Sequence, residues 1–159
     1  NKHKFEDCKK NRDNNRNLFY NCALVDFSYK KQTTEGYFNE VDYENSLMAQ
    51  VSISNPEYCE KDPRWKNKKK VKVQAKKLSD ILDQNNSDKI DFFSLDVEGY
   101  ELNVLNGIDF SRHAPELICT EIRNKNDSQS FFPIKSLLED NHYTLISSVG
   151  HNYFFQRMI

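Results

Sequence analysis

Glycine is scarce in this chain. Its four glycines (Gly36, Gly99, Gly107 and Gly150) stand far apart in 159 residues. No glycine cluster therefore exists to bring backbone close against a nucleotide or a phosphate. There is also no apolar run of about 18 residues, the length a membrane-spanning helix requires, so no transmembrane segment is expected. The four cysteines, Cys8, Cys22, Cys59 and Cys119, form no CxxC pair and no Cys/His spacing suited to zinc. Reduced thiols in a cytoplasmic setting are the plain expectation. Cys22 and Cys119 sit in apolar, strand-like runs, where a free thiol acts as a small hydrophobe. Charge of one sign is lacking too. A net charge of -1 argues against a polyanion binder held by bulk electrostatics, so nucleic acid is not an expected partner. The first ten residues are charged rather than signal-like, and the chain opens on Asn1 rather than Met, which leads us to expect residues upstream.

Aromatic residues are plentiful. Eleven Phe and eight Tyr in a chain that is 37% hydrophobic imply a buried core, because aromatic side chains gain most of their free energy by burial. The length suits one domain, or part of one. Residues 2–12 read as a short helix with Phe5 and Cys8 on one face. Residues 18–25 (LFYNCALV) read as a buried strand, and residues 32–53 as a hairpin or meander. The stretch 55–70 reads as loop, and 71–75 (VKVQA) alternates as a half-exposed strand does. A helix follows with Ser79 as its N-cap and Leu78, Ile81 and Leu82 facing inward. Residues 90–95 (IDFFSL) form a strand, Gly99 breaks the run, and 100–105 turns helical. Residues 117–122 form another strand. Ser130 caps a helix that carries Pro133 in its first turn and Ile134, Leu137 and Leu138 on one face. Residues 143–148 and 153–156 close as a hairpin. Strands alternating with helices indicate an α/β fold with a largely parallel sheet.

In such a sheet ligands bind at the carboxyl ends of the strands. That rule singles out Ser94-Leu95-Asp96-Val97-Glu98-Gly99-Tyr100-Glu101. Two carboxylates, Asp96 and Glu98, follow a buried strand, and a glycine then permits a sharp turn into a helix. They can hold a cationic or polar ligand, or take a proton from a hydroxyl. The plainer reading has Asp96 capping the next helix and Glu98 solvated near its positive end.

The run from Lys89 through Asp96-Val97-Glu98-Gly99-Tyr100-Glu101 to Val104-Leu105-Asn106-Gly107 resembles the signature of the FkbM methyltransferase family. There a strand ends in Asp-Val-Glu-Gly-Tyr-Glu and a helix runs on to Val-Leu-x-Gly. Asn21-Cys22-Ala23-Leu24 resembles the family's third strand, and Leu78-Ser79-Asp80-Ile81-Leu82 its Leu-Asp-x-Leu-Leu helix. Glu121 falls where the family tends to carry an acid at the end of strand five. The resemblance implies an S-adenosylmethionine-dependent O-methyltransferase acting on a hydroxyl of a sugar, glycolipid or related small molecule. It implies that Asp96 and Glu98 lie beside the methionine end of the cofactor and the acceptor hydroxyl, either being a candidate base. Cys22 and Ala23 are implied to lie near the adenine, and Glu121 to line the far wall of the cleft. Tyr100 would cover the cleft or else pack its helix onto the sheet. A Mg²⁺ ion held by an acid at this place stays open, although no metal ligand set is assigned.

The same family opens with a strand and a turn resembling Asp-x-Gly-x-Asn-x-Gly, then a second strand ending in a ribose-binding acid. Neither is found here, and Asn1 corresponds to the residue just after that acid. The implied sheet order is 3-2-1-4-5-7-6. Residues 1–159 are therefore expected to form a single partial, Rossmann-like methyltransferase domain with its first two strands missing, inactive alone, and with the strand at 90–95 left as an apolar edge. The alternative is a non-catalytic FkbM-like protein serving interaction or trafficking. A basic stretch, 64–77 with Trp65, can stack on a base, or else is a solvated loop leading into an edge strand whose lysines blunt association. His3, His113, His142 and His151 lack ligand spacing; His151, in a turn near the sheet's end, can reach substrate or simply lie on the surface.

Overall fold

The computed structural model describes residues 2–12, 16–39, 51–52, 68–87, 89–97, 99–122 and 130–158. Glu98, Cys59 and Trp65 lie outside them. The elements run α1 (Lys2–Arg12), β1 (Ala23–Leu24), β2 (Thr33–Asn39), β3 (Val51–Ser52), β4 (Lys68–Lys76), α2 (Leu78–Gln84), β5 (Phe92–Leu95), α3 (Glu101–Leu105), β6 (Leu117–Glu121), α4 (Phe131–Asp140), β7 (Tyr143–Val149) and β8 (Asn152–Arg157). They belong to two compact units, one of residues 1–23 and 31–75, the other of residues 24–30 and 76–159.

In the first unit, α1 ends on Lys9, Lys10 and Arg12, cations that suit the negative end of a helix. The sheet order is β1-β4-β2-β3, with β2 antiparallel to both β3 and β4. Along β4, Lys70, Lys72 and Gln74 are exposed while Val71, Val73 and Ala75 are half-buried, the alternation its sequence implies. Here β4 lies between two strands rather than at an edge, so Lys70 and Lys72 lie on the solvated face of an inner strand. Lys70 pairs with Glu35 at 2.6 Å. The strand expected over 18–25 shortens to Ala23–Leu24, and Leu18 is 67% exposed. Apolar character alone does not make a strand, and within this run only Ala23–Leu24 is one.

The second unit holds the larger core. Its sheet runs β5-β6-β8-β7. β5 and β6 are parallel, with Leu95 opposite Thr120, whereas β6–β8 and β7–β8 are antiparallel. The expectation of a largely parallel sheet is thus corrected to mixed sheets, because two-residue turns such as Gly150–His151 can join only antiparallel strands. Gly150 takes the left-handed φ of 60° that this turn requires. One face of the sheet packs Leu95, Ile118, Phe155 and Tyr153 against Val104 and Leu105 of α3 and Phe131, Ile134 and Leu138 of α4. Phe131 meets Tyr153 with ring centroids 5.2 Å apart, while Phe132 points to solvent, 58% exposed. The Tyr143 hydroxyl donates to the Pro115 carbonyl at 2.6 Å, so this buried ring keeps its polar end satisfied.

Ser79 does not cap α2. Lys77 occupies that position, and Ser79 lies fully buried in the helix, its Oγ accepting the Asp109 amide at 2.7 Å. The helix is thereby tied to the turn after α3, and the Ser79 amide donates to the Gly107 carbonyl at 3.1 Å. His113, 3% exposed, is also structural: its Nε2 lies 2.8 Å from Asp83 Oδ1 and its Nδ1 3.3 Å from the Ser87 carbonyl. Gly107 is required by a close approach. A Cβ there would lie 2.3 Å from the Val25 carbonyl oxygen.

Candidate active site

Parallel pairing decides what meets at the end of β5. Leu95 and Thr120 are the last registered pair, so the next residues, Asp96 and Glu121, leave their strands side by side. Both are carboxylates, and Glu101 of α3 joins them: one carboxylate oxygen from each of the three lies within 4.8 Å of the others. Asp96 is exposed, Glu121 half-buried and Glu101 buried.

Each acid is held differently. Glu101, 5% exposed, uses Oε1 to accept the Val97 amide at 3.0 Å and the Gly99 amide at 3.1 Å. Gly99 has φ +96°, a conformation L-residues avoid, which turns the chain from β5 into α3. Burial pushes the Glu121 carboxyl above its ordinary value, and the neighbouring Asp96 charge, a hydrogen bond with Asp96 and the charge of Glu101 act in the same direction. His151, in the exposed β7–β8 turn, opposes them. The hydrogen bond between Glu121 and Asp96 favours the neutral form of Glu121.

Sequence reasoning selected Asp96 and Glu121 separately, and the structure brings them together. It overlooked the role of Glu101. The available signal was its spacing, two residues after a turn glycine, from which a carboxylate reaches back to amides freed at a helix start. Tyr100 is half-buried against the core. Burial, then the charge of Asp26 and Tyr29, keep its phenol above the ordinary value, so it stays a donor. Asp26 accepts from Ser28 and Tyr29 amides at 2.8 and 3.1 Å and from Asn103 Nδ2 at 3.2 Å, fixing the 24–30 turn to α3. Cys22, half-buried, and Ala23, 2% exposed, belong to the first compact unit.

The acids do not make a convincing cation cage, since Glu101 Oε1 already serves two amides and Glu121 bonds Asp96. A cavity of about 620 Å³ lined by Glu116, His142, Arg157 and Met158 lies at the other end of β6. No helix among the described residues is long and apolar enough to cross a membrane.

Comparison with known proteins gives one family. No curated protein and no solved structure shows a significant match. The model of the Methyltransferase FkbM domain matches residues 1–145, a span holding all three acids and the whole Asp-Val-Glu-Gly-Tyr-Glu run, and the chain therefore belongs to the FkbM methyltransferase-domain family.

Proposed function

We propose that the protein takes part in S-adenosylmethionine-dependent O-methylation of a hydroxyl on a sugar, glycolipid or related small molecule, with Asp96 as the base. The observation that carries this reading is the Asp96–Glu121 pair at the carboxyl ends of two parallel strands, where such sheets bind ligands. The strand order β5-β6-β8-β7 supports it as well, since it corresponds to the 4-5-7-6 half of a Rossmann-like methyltransferase sheet. The family match over residues 1–145 runs through both compact units, which supports reading residues 1–159 as a single partial methyltransferase domain.

The donor set suits the cofactor's cationic groups: carboxylates at an open strand end attract an ammonium or a sulfonium. When bound, S-adenosylmethionine supplies an electrophilic methyl group on sulfur. Asp96 would accept the acceptor hydroxyl's proton, leaving the substrate oxygen as the nucleophile. Glu121 holds Asp96 in place by their hydrogen bond. Glu98 is assigned to the same polar end, the Cys22–Ala23 backbone to the adenine, and Tyr100 to the substrate side.

Calorimetric titration with S-adenosylhomocysteine, after circular dichroism establishes folding, tests the cofactor. Micromolar binding by the folded chain would make the enzymatic reading direct and overturn the expectation that these residues are inactive alone. Methyl transfer from labelled S-adenosylmethionine to a panel of hydroxylated glycans and glycolipids then tests the chemistry, and D96N should abolish transfer while leaving the fold intact. Failure of the folded protein to bind would overturn the enzymatic reading and favour the interaction role.

A further inference from the structure

We infer that Glu101 is a positioning residue that acts through Asp96, by clamping the turn that sets Asp96 beside Glu121. The inference borrows from the proposed function only the statement that Asp96 is a working group; the clamp itself rests on hydrogen bonds.

The chain after β5 must reverse within a few residues to start α3. Asp96 itself is exposed, and an exposed carboxylate on an unsupported turn samples many rotamers. Two amides of that turn, Val97 and Gly99, point inward to one buried oxygen, Glu101 Oε1. Bonds to a carboxylate acceptor are about twice as strong as neutral ones. Val97 in turn packs against the hydrophobic core. The residue next to Asp96 is therefore fixed on its amide by Glu101 and on its side chain by the core. Asp96 has little freedom left except to face Glu121. Glu101 can do this because it begins α3, whose Val104 and Leu105 are 1% and 0% exposed and anchor the helix. The charged groups facing Glu121 are Asp96 after β5, Glu101 on α3 and His151 in the β7–β8 turn.

Two substitutions separate a clamp from a mere charge. In E101Q the amide oxygen can still accept both N–H groups; in E101A nothing can. Hydrogen exchange at Val97 and Gly99 should accelerate on the order of tenfold or more in E101A, and by much less in E101Q, as expected for bonds to a charged, a neutral and an absent acceptor. Carboxyl-carbon NMR titration provides the readout that a purely structural role would not move. The raised titration of Glu121 should fall toward the ordinary range in E101A as Asp96 swings away, and should be largely kept in E101Q. Freed amides with Glu121 unchanged would overturn the inference, as would equal loss in both variants. Should E101A fail to fold, the unsubstituted protein still decides: fast exchange at Val97 and Gly99 would refute the clamp, and protection with rescue by E101Q would support it. None of these readouts needs cofactor or methyl transfer, so a failed S-adenosylhomocysteine titration would sink the enzymatic reading and leave this one standing.

Discussion

Replacing Gly107 with alanine tests whether the segment at Val25 and the turn after α3 are as tightly engaged as the coordinates indicate. The new Cβ would sit 2.3 Å from the Val25 carbonyl oxygen and 3.2 Å from that of Val104, so backbone must retreat by most of an ångström. Neither side is free to do so. The Val25 amide donates to Lys76, Phe27 donates to Asn106 and Ser79 donates to the Gly107 carbonyl, at 2.9, 3.2 and 3.1 Å. Overpacking of this kind costs about 1–3 kcal/mol, and each strained or broken hydrogen bond adds about 0.5–1.5 kcal/mol. Against this, alanine restricts the unfolded chain and returns about 0.4–1 kcal/mol. A net loss of about 2–3 kcal/mol follows, a fall in Tm of roughly 5–10 °C for a chain of this size. Urea unfolding followed by circular dichroism measures it. An unchanged or raised midpoint would refute the close approach. G99A is the instructive contrast: its Cβ meets nothing within 4 Å, so only the φ of +96° opposes it, at about 1–2 kcal/mol.

Three further outcomes are expected. Because the folded protein holds the Glu121 proton above the ordinary value of 4.5, that group's contribution to stability is fully present below this pH and is lost as pH rises through the raised value; E121Q should flatten the dependence in urea midpoints taken from pH 4 to 8, and an unaltered slope would show the pair is not coupled. Thr120 Oγ1 is buried without a partner among the described residues, so T120V should stabilise the protein by about 1 kcal/mol in the same assay, and destabilisation would reveal a bond to that hydroxyl. Burial pushes the Cys119 thiol up, whereas Cys8 is exposed; alkylation mapped by peptide mass should therefore label Cys8 well before Cys119.

Much of the second unit was legible in the sequence because its signals are local. Ile134 and Leu138 recur at helical spacing and are buried at 1% and 0%; Val149-Gly150-His151-Asn152 announces a tight turn, and the hairpin forms around it. Asp96 could be chosen from its strand-end position and Glu121 from the family resemblance, but their pairing could not, since it depends on the parallel register of Leu95 with Thr120. The features that depend on neighbours are not legible in this way. Leu18 lies in an apolar run yet is exposed, and the strand is confined to Ala23–Leu24. Ser79 has a capping side chain, but its hydroxyl is more valuable buried under the Asp109 amide. The balance of parallel and antiparallel pairs was also invisible, since periodicity reports that a strand exists and not which way its neighbour runs.

The spacing of the Asp-Val-Glu-Gly-Tyr-Glu run now has a physical account for each described residue. Asp96 is the first residue past the strand, so its side chain leaves the sheet beside Glu121. Val97 anchors the turn in the core. Gly99 supplies the positive φ, and Tyr100 packs half-buried against the core. Glu101 closes the loop by accepting the amides at positions 97 and 99. Shifting Glu101 by one residue would rotate its side chain by about 100° around α3, out of reach of both amides. Losing Gly99 would strain the turn they belong to. The motif therefore acts as a unit that presents one carboxylate, Asp96, at a fixed place on the strand end, whatever hydroxyl is brought to it.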